Sequence, residues 1–286
     1  MQPEVTSFFH APTYTVTHLV KDPDSSHCVI IDSVLDFDQK SGRTDTKAAD
    51  EIIAYARDQD LVVDWILETH VHADHFSAAP YLQEALGGKI GIGNQVPVVQ
   101  DVFSKVYNFG DDFFADGSDF GILLGDGQTI EAGGMPVSVF HTPGHTPACV
   151  TYLIGDAAFV GDTLFMPDSG TARTDFPGGD AATLYRSIKI ILSLPDETRI
   201  FTCHDYAPGD RDYAWESNVQ EENQSNVHIK AVVSEDDFVQ MRTDRDSTLE
   251  MPVLMLPSVQ VNIRAGHMPK PEGNGIAYLK VPINNF

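Results

Sequence analysis

One seven-residue stretch, Thr69-His70-Val71-His72-Ala73-Asp74-His75, constrains this chain more than any other. It brings three imidazoles and a carboxylate (His70, His72, Asp74 and His75) into six residues. Immediately before it runs Leu61 to Leu67, Leu-Val-Val-Asp-Trp-Ile-Leu, with the length and β-branched content of a buried strand. The cluster therefore falls where a strand gives way to a loop, a position at which a rigid scaffold holds functional side chains. Neutral imidazole and ionised carboxylate are the usual ligands of borderline first-row metals. Unpaired polar groups are costly to bury, so metal binding accounts for this density better than packing does.

Residues of the same type recur at the ends of three later strand-like runs. His145 lies in Thr142-Pro143-Gly144-His145-Thr146, just past Val137 to Phe140, where Gly144 permits an unusual backbone angle. Asp162 follows Ala157 to Val160 in Gly161-Asp162-Thr163, and His204 follows Arg199 to Thr202 in Cys203-His204-Asp205-Tyr206. Strand ends of a layered α/β fold converge on one rim, so the four segments predict a single site.

The rest of the pattern supplies the frame. Strands over Thr13 to Val20 and Cys28 to Asp32, joined by turn residues 22–26, read as an antiparallel hairpin. A polar connection follows over 33–46. Helical spacing covers 48–58, 76–86, 95–106, 181–194, 211–228 and 235–246, and further strands fall at 89–92, 128–130 and 150–154. The acidic stretch Asn108 to Gly121, with Asp111, Asp112, Asp116 and Asp119, lacks EF-hand spacing and reads as a solvated loop. Met251 to Phe286 is Pro-rich and mostly irregular, an extension packed on the domain. Strands precede helices in both halves, which predicts one domain over 1–286 with two sheets in a common core, flanked by helices.

Composition narrows the partners. Of 286 residues, 42% are hydrophobic and 21% charged, enough for a sizeable core. A formal net charge of −24 argues against nucleic acid and anionic membranes as partners. Cys28, Cys149 and Cys203 are too few and too scattered for a disulfide scaffold or a Cys-rich zinc site, and fit a reducing compartment. Cys149 and Cys203 read as inert core thiols. The N-terminus has no basic segment followed by an apolar one, and no apolar run approaches the ~20 residues of a membrane span. The expectation is a cytoplasmic protein.

His-x-His-x-Asp-His (His70 to His75), Pro-Gly-His (His145), Gly-Asp (Asp162) and the final His204 together resemble the metallo-β-lactamase superfamily. The resemblance implies an αββα sandwich, two mixed sheets flanked by helices, with a metal site on one edge. Two branches share these motifs. Glyoxalase II-type thioesterases hold two metals, such as zinc, with all seven ligands. Persulfide dioxygenases of the ethylmalonic-encephalopathy-protein type bind one Fe(II), which here implies His70, His145 and Asp162 as ligands. His72, Asp74, His75 and His204 would then support those ligands or, in the first branch, hold a second metal.

The flanks favour the dioxygenase. Thr142 to Tyr152, Ala172-Arg173-Thr174-Asp175-Phe176 and Cys203-His204-Asp205-Tyr206 look like its pattern, closest to the bacterial β-lactamase hydrolase-like branch. Glyoxalase II instead has Gly-His-Glu-Tyr at the last His and a basic C-terminal region. The resemblance implies glutathione persulfide and O2 as substrates, a separate rhodanese-type sulfurtransferase as partner, and a homodimer. Arg173, Tyr206 and Arg264 are the candidate substrate-binding residues, the arginines because they pair bidentately with carboxylates. Arg173 has an equally good bracing role with Asp175. A two-metal hydrolase is the alternative, and a non-catalytic protein that retains the metal site is a third reading.

Overall fold

The apolar runs of the sequence assemble into two six-stranded sheets. The structure, a computed structural model, describes residues 1–110 and 113–285. The first sheet has the order β1 (Glu4–His10), β2 (Thr15–Lys21), β3 (His27–Ile31), β6 (Val62–Leu67), β8 (Lys89–Gly93), β9 (Ile122–Leu124). Its first three strands pair antiparallel, and β3, β6, β8 and β9 run parallel. The second has the order β10 (Thr129–Ala132), β11 (Met135–His141), β12 (Val150–Ile154), β13 (Ala157–Phe159), β14 (Arg199–Phe201), β15 (Glu216–Asn218). Only β13 and β14 are parallel there.

Three apolar clusters fix the layers. Val20, Val29, Ile31 and Leu67 of the first sheet pack against Val137, Val139, Tyr152 and Phe159 of the second. On the outer face of the first sheet lie α1 (Lys47–Asp58), α2 (Ala79–Leu86), α3 (Val96–Val106) and α7 (Met255–Asn262). The outer face of the second is covered by α4 (Ala181–Ile191) and α6 (Glu235–Asp246). In α1 the buried residues Ala49, Ile52, Ile53 and Ala56 follow the i, i+3, i+4, i+7 spacing of one helix face. Of these, Ile52 and Ile53 each contribute roughly 1.5–3 kcal/mol of transfer free energy. The result is the expected αββα sandwich.

Several elements differ from the sequence expectation. The connection over 33–46 contains β4 (Val34–Asp38) and β5 (Arg43–Asp45), which with β7 (Phe76–Ser77) form a third small sheet. Residues 76 and 77 are therefore strand, and the helix starts only at Ala79. Of 211–228, only α5 (Val219–Ser225) is helical; Ser217 instead pairs with Ile200 in the sheet. The tail contains α7, in which seven of eight residues (Met255 and Pro257 to Asn262) are buried. A helix buried on all sides has no polar face, so its period was invisible. Asp111 and Asp112 lie outside the described residues. Among those described, no helix is long and apolar enough to cross a membrane.

Candidate metal centre

The histidine loop leaves β6 at the edge of the first sheet, while His145, Asp162 and His204 follow β11, β13 and β14 of the second. All four segments meet. His70 Nε2 and His145 Nε2 stand 3.8 and 3.7 Å from Asp162 Oδ2, and His204 Nε2 stands 3.4 Å from Asp162 Oδ1. His204 Nε2 is also 3.3 Å from Asp74 Oδ2. His70, His145 and Asp162 form one compact ligand-type group, and His72, Asp74 and His75 another. Ligands about 2.1 Å from a shared ion lie about 3–3.6 Å from one another, so these separations fit metal-binding pockets slightly wider than a bound ion draws them.

Two glycines make the approach possible. Gly144 has φ +136°, and a Cβ there would collide with the Leu184 backbone. At Gly161, φ +54°, a Cβ would strike the Thr69 side chain. Gly161 thus lets the end of β13 close on the histidine loop, and Gly144 lets the loop bearing His145 seat on α4.

Hydrogen bonds on the outer ring nitrogens decide which nitrogen faces inward. Thr69 Oγ1 donates to Asp32 Oδ2 at 2.8 Å, so its lone pair is left to accept from His70 Nδ1 at 2.9 Å. His145 Nδ1 donates to the Arg173 carbonyl at 2.9 Å, and His204 Nδ1 to the Tyr14 carbonyl at 3.2 Å. His75 Nδ1 donates to Asp74 Oδ2 at 3.3 Å. The Nε2 atoms of His70, His75 and His204, and Asp162 Oδ1, are buried with no hydrogen-bond partner. Such orphaned buried atoms, aimed at one another, are what a metal would satisfy. Burial holds the His70 ring well below the usual imidazole pKa, and burial also brings His75 down to about 4. Both are therefore neutral, as ligands must be.

His72 is arranged the other way round. Its Nε2 faces two carboxylates, Asp32 at 3.1 Å and Glu68 at 3.0 Å, leaving Nδ1 as its orphan. Burial works against a charge there, but Asp32 and Glu68 outweigh it and raise the His72 pKa well above the ordinary value. Asp32 also accepts from the Thr69 amide at 2.7 Å, and Glu68 from Ser77 Oγ at 2.5 Å. Neither Asp32 nor Glu68 was identified from the sequence. Lone carboxylates beside a strand carry no signal, although Glu68 adjoins the motif.

The family-model comparison then decides the class. Residues 11–204 match the model described as "Metallo-beta-lactamase superfamily". This chain belongs to that superfamily. Among its relatives, a probable metallo-hydrolase of Burkholderia pseudomallei is 56% identical, over 98% of this chain and 99% of that protein. A protein named glyoxylase B2 in Dictyostelium discoideum is 49% identical over 93% and 92%. Persulfide dioxygenase ETHE1 of Mus musculus is 29% identical over 90% and 87%. Against some relatives this chain is short: it spans 65% of a β-lactamase hydrolase-like protein of Agrobacterium fabrum, at 52% identity. The crystal structure of ETHE1 from Myxococcus xanthus superposes with a TM-score of 0.73 at 26% identity, covering 92% of this chain and all of that one.

The superfamily site opens into a cleft of about 1080 Å³, lined near the cluster by Asp74, His75, His145, Asp162, Phe165 and Tyr206. Tyr206, half exposed, stacks on His204 with the rings 5.9 Å apart and nearly parallel. Arg173 lies in the cleft, but its Nε and Nη2 grip Asp175 at 2.6 and 2.7 Å and its Nη1 donates to the Glu250 carbonyl at 2.7 Å. The bracing role thus has its contacts. Arg264 is elsewhere: it lines a separate cleft, with its guanidinium over the rings of Phe109 and Phe113. The chain leaving α7 carries it away from the metal cluster. Arg245, Arg43 and Lys40 line the metal cleft instead. Cys149 and Cys203 are buried, and burial pushes Cys149 up to about 12 and Cys203 well above its ordinary value, as expected of inert thiols.

Proposed function

We propose that this chain is a persulfide dioxygenase of sulfide detoxification, using one Fe(II) held by His70, His145 and Asp162. The reaction is R-S-SH + O2 + H2O giving R-SH, sulfite and two protons, with glutathione or a related small thiol as R. One observation carries the reading. Ala172 to Phe176, a segment that resembles the dioxygenase pattern, is in direct contact with a proposed ligand: the Arg173 carbonyl holds His145 Nδ1, and Phe176 packs edge-on against the His145 ring at 5.5 Å. The likeness to ETHE1 proteins in sequence and fold supports the same branch.

When bound, ferrous iron supplies the redox chemistry with O2, and a set of two His and one carboxylate leaves adjacent coordination positions for O2 and sulfur. The chain's own residues prepare the rest. Thr69 and the Arg173 carbonyl fix the tautomers of His70 and His145. Phe165 and Tyr206 line the cleft beside the cluster with aromatic surface, against which the apolar part of the thiol carrier can pack. Arg245, Arg43 and Lys40 provide local positive charge for the carboxylates of the thiol carrier on a molecule of net charge −24. A cytoplasmic location, a rhodanese-type sulfurtransferase as persulfide donor and a homodimeric state belong to the same proposal.

A second reading has its own observation. Asp162 turns Oδ2 toward His70 and His145 and Oδ1 toward His204, the posture of a carboxylate shared between two metals. It supports a two-zinc thioester hydrolase, in keeping with the names of the Burkholderia and Dictyostelium relatives. Metal analysis with an oxygen electrode separates the two. One iron per chain and persulfide-dependent O2 uptake are expected. Two zinc ions with hydrolysis of S-lactoylglutathione and no O2 uptake would overturn the dioxygenase, and a metal-bound chain silent in both assays points to a regulatory role.

A further inference from the structure

The loop that bears the ligands has no regular secondary structure between β6 and β7, so its backbone groups need partners from elsewhere. One side chain supplies two of them, and bonds a third backbone group in β7. Asn262, the last residue of α7 and 187 to 190 positions away in the chain, donates through Nδ2 to the carbonyls of His72 at 2.8 Å and His75 at 2.7 Å. Its Oδ1 accepts from the Ser77 amide at 2.9 Å. Among the described residues, no other donor reaches either carbonyl. Asn262 is buried, so bulk water does not compete for these carbonyls.

We infer that Asn262 is a positioning residue of the metal centre, and that through it the C-terminal helix and metal occupancy are coupled. The two carbonyls flank Ala73 and Asp74, so a single planar amide sets the curvature of the loop between His72 and His75. That curvature sets where Asp74 and His75 present their ligand-type atoms to the cluster. The C-terminal segment is fixed on the other side as well. The Gln260 side chain donates to the Lys280 carbonyl at 2.8 Å and accepts from the Lys280 amide at 2.9 Å, while Gln100 Nε2 donates to the Ile263 carbonyl at 2.8 Å. Helix position and loop shape are thus one rigid arrangement, and coupling between them acts equally in both directions. The inference requires a metal in the cluster but no particular reaction.

The test reads metal binding rather than turnover. Fe(II), titrated anaerobically against a chelator, should bind Asn262→Ala about 10- to 100-fold more weakly than the parent, the range typical of residues that orient ligands. Zn(II) run in parallel should show the same ratio. Ile154→Ala, a cavity between the sheets at the opposite end of β12 from Val150, whose amide meets the histidine loop, serves as control: it should lower thermal stability with metal affinity unchanged. Hydrogen exchange on the parent protein gives the reciprocal reading, since added metal should slow the amides of α7 while leaving those of β10 unchanged. Asn262→Ala should abolish that protection. Parent-like affinity in Asn262→Ala, an equal loss in Ile154→Ala, or α7 amides indifferent to metal would each overturn the coupling. The exchange measurement needs no variant, so a failure of Asn262→Ala to fold leaves the inference open to refutation.

Discussion

His70 and His72 sit two residues apart with ring centroids 4.1 Å from each other, yet they belong to different regions. His70 joins His145 and Asp162 in a tripod whose imidazoles are anchored by a hydroxyl and a backbone carbonyl. His72 sits in a nest of two buried carboxylates, Asp32 and Glu68. Neutral anchors leave burial to set the charge, and burial keeps His70 neutral. Carboxylate anchors reverse the outcome at His72 and make it the counter-charge that lets two acids stay buried. One motif thus yields a site ready for a cation and a buttress behind it.

The comparison breaks first at the tripod. Asp162→Ala removes the carboxylate that faces His70, His145 and His204, and should abolish metal binding and activity together; an active, metal-replete variant would remove Asp162 from the ligand set. Glu68→Gln should have a smaller effect, since it takes away a supporting partner of His72. We expect the metal stoichiometry to persist with affinity reduced by up to about 10-fold to 100-fold. Loss of a metal equivalent in that variant would make His72 a ligand and merge the two regions.

Acid and base titration of the metal-free protein gives the smallest and sharpest contrast. His75 is held near 4 against an ordinary 6.5, so its contribution is present above pH 6.5 and lost as pH falls toward 4, at most on the order of 3 kcal/mol. His72 is raised, so its contribution is present below pH 6.5 and lost as pH rises through its folded value. Unfolding free energies measured across pH should fall on both sides of about 6.5. His75→Gln should flatten the acid limb and His72→Gln the alkaline limb; the reverse assignment would contradict the separate anchoring described here.

Most of the tripod was legible because metal chemistry demands rare residue types at strand ends. His70, His145, Asp162 and His204 each follow an apolar run, and Gly144 and Gly161 mark where the backbone must approach closely. The buttress was less legible. Asp32 works from a left-handed backbone position (φ 54°) just past β3, and Glu68 from the residue between the end of β6 and Thr69, neither with a periodic signature. Asn262 was hidden for a related reason, because α7 is buried on nearly every side. Arg264 was misplaced because an Arg three-residue motif says nothing of which face a helix end turns to. Arg245 lies exposed on α6, a helix legible as such but so rich in charge that no single basic residue stands out on it.

The division of the cluster between the two sheets has a mechanical consequence. His70, Asp74 and His75 follow a strand of the first sheet, whereas His145, Asp162 and His204 follow strands of the second. All three cysteines are free, and none ties one sheet to the other. A cation held by His70, His145 and Asp162 would act as a removable staple, closing the 75 residues from His70 to His145 and the 92 from His70 to Asp162, which otherwise rely on apolar packing. Metal supply would then govern how readily this edge of the sandwich opens, and with it the lifetime of the folded protein as well as its turnover.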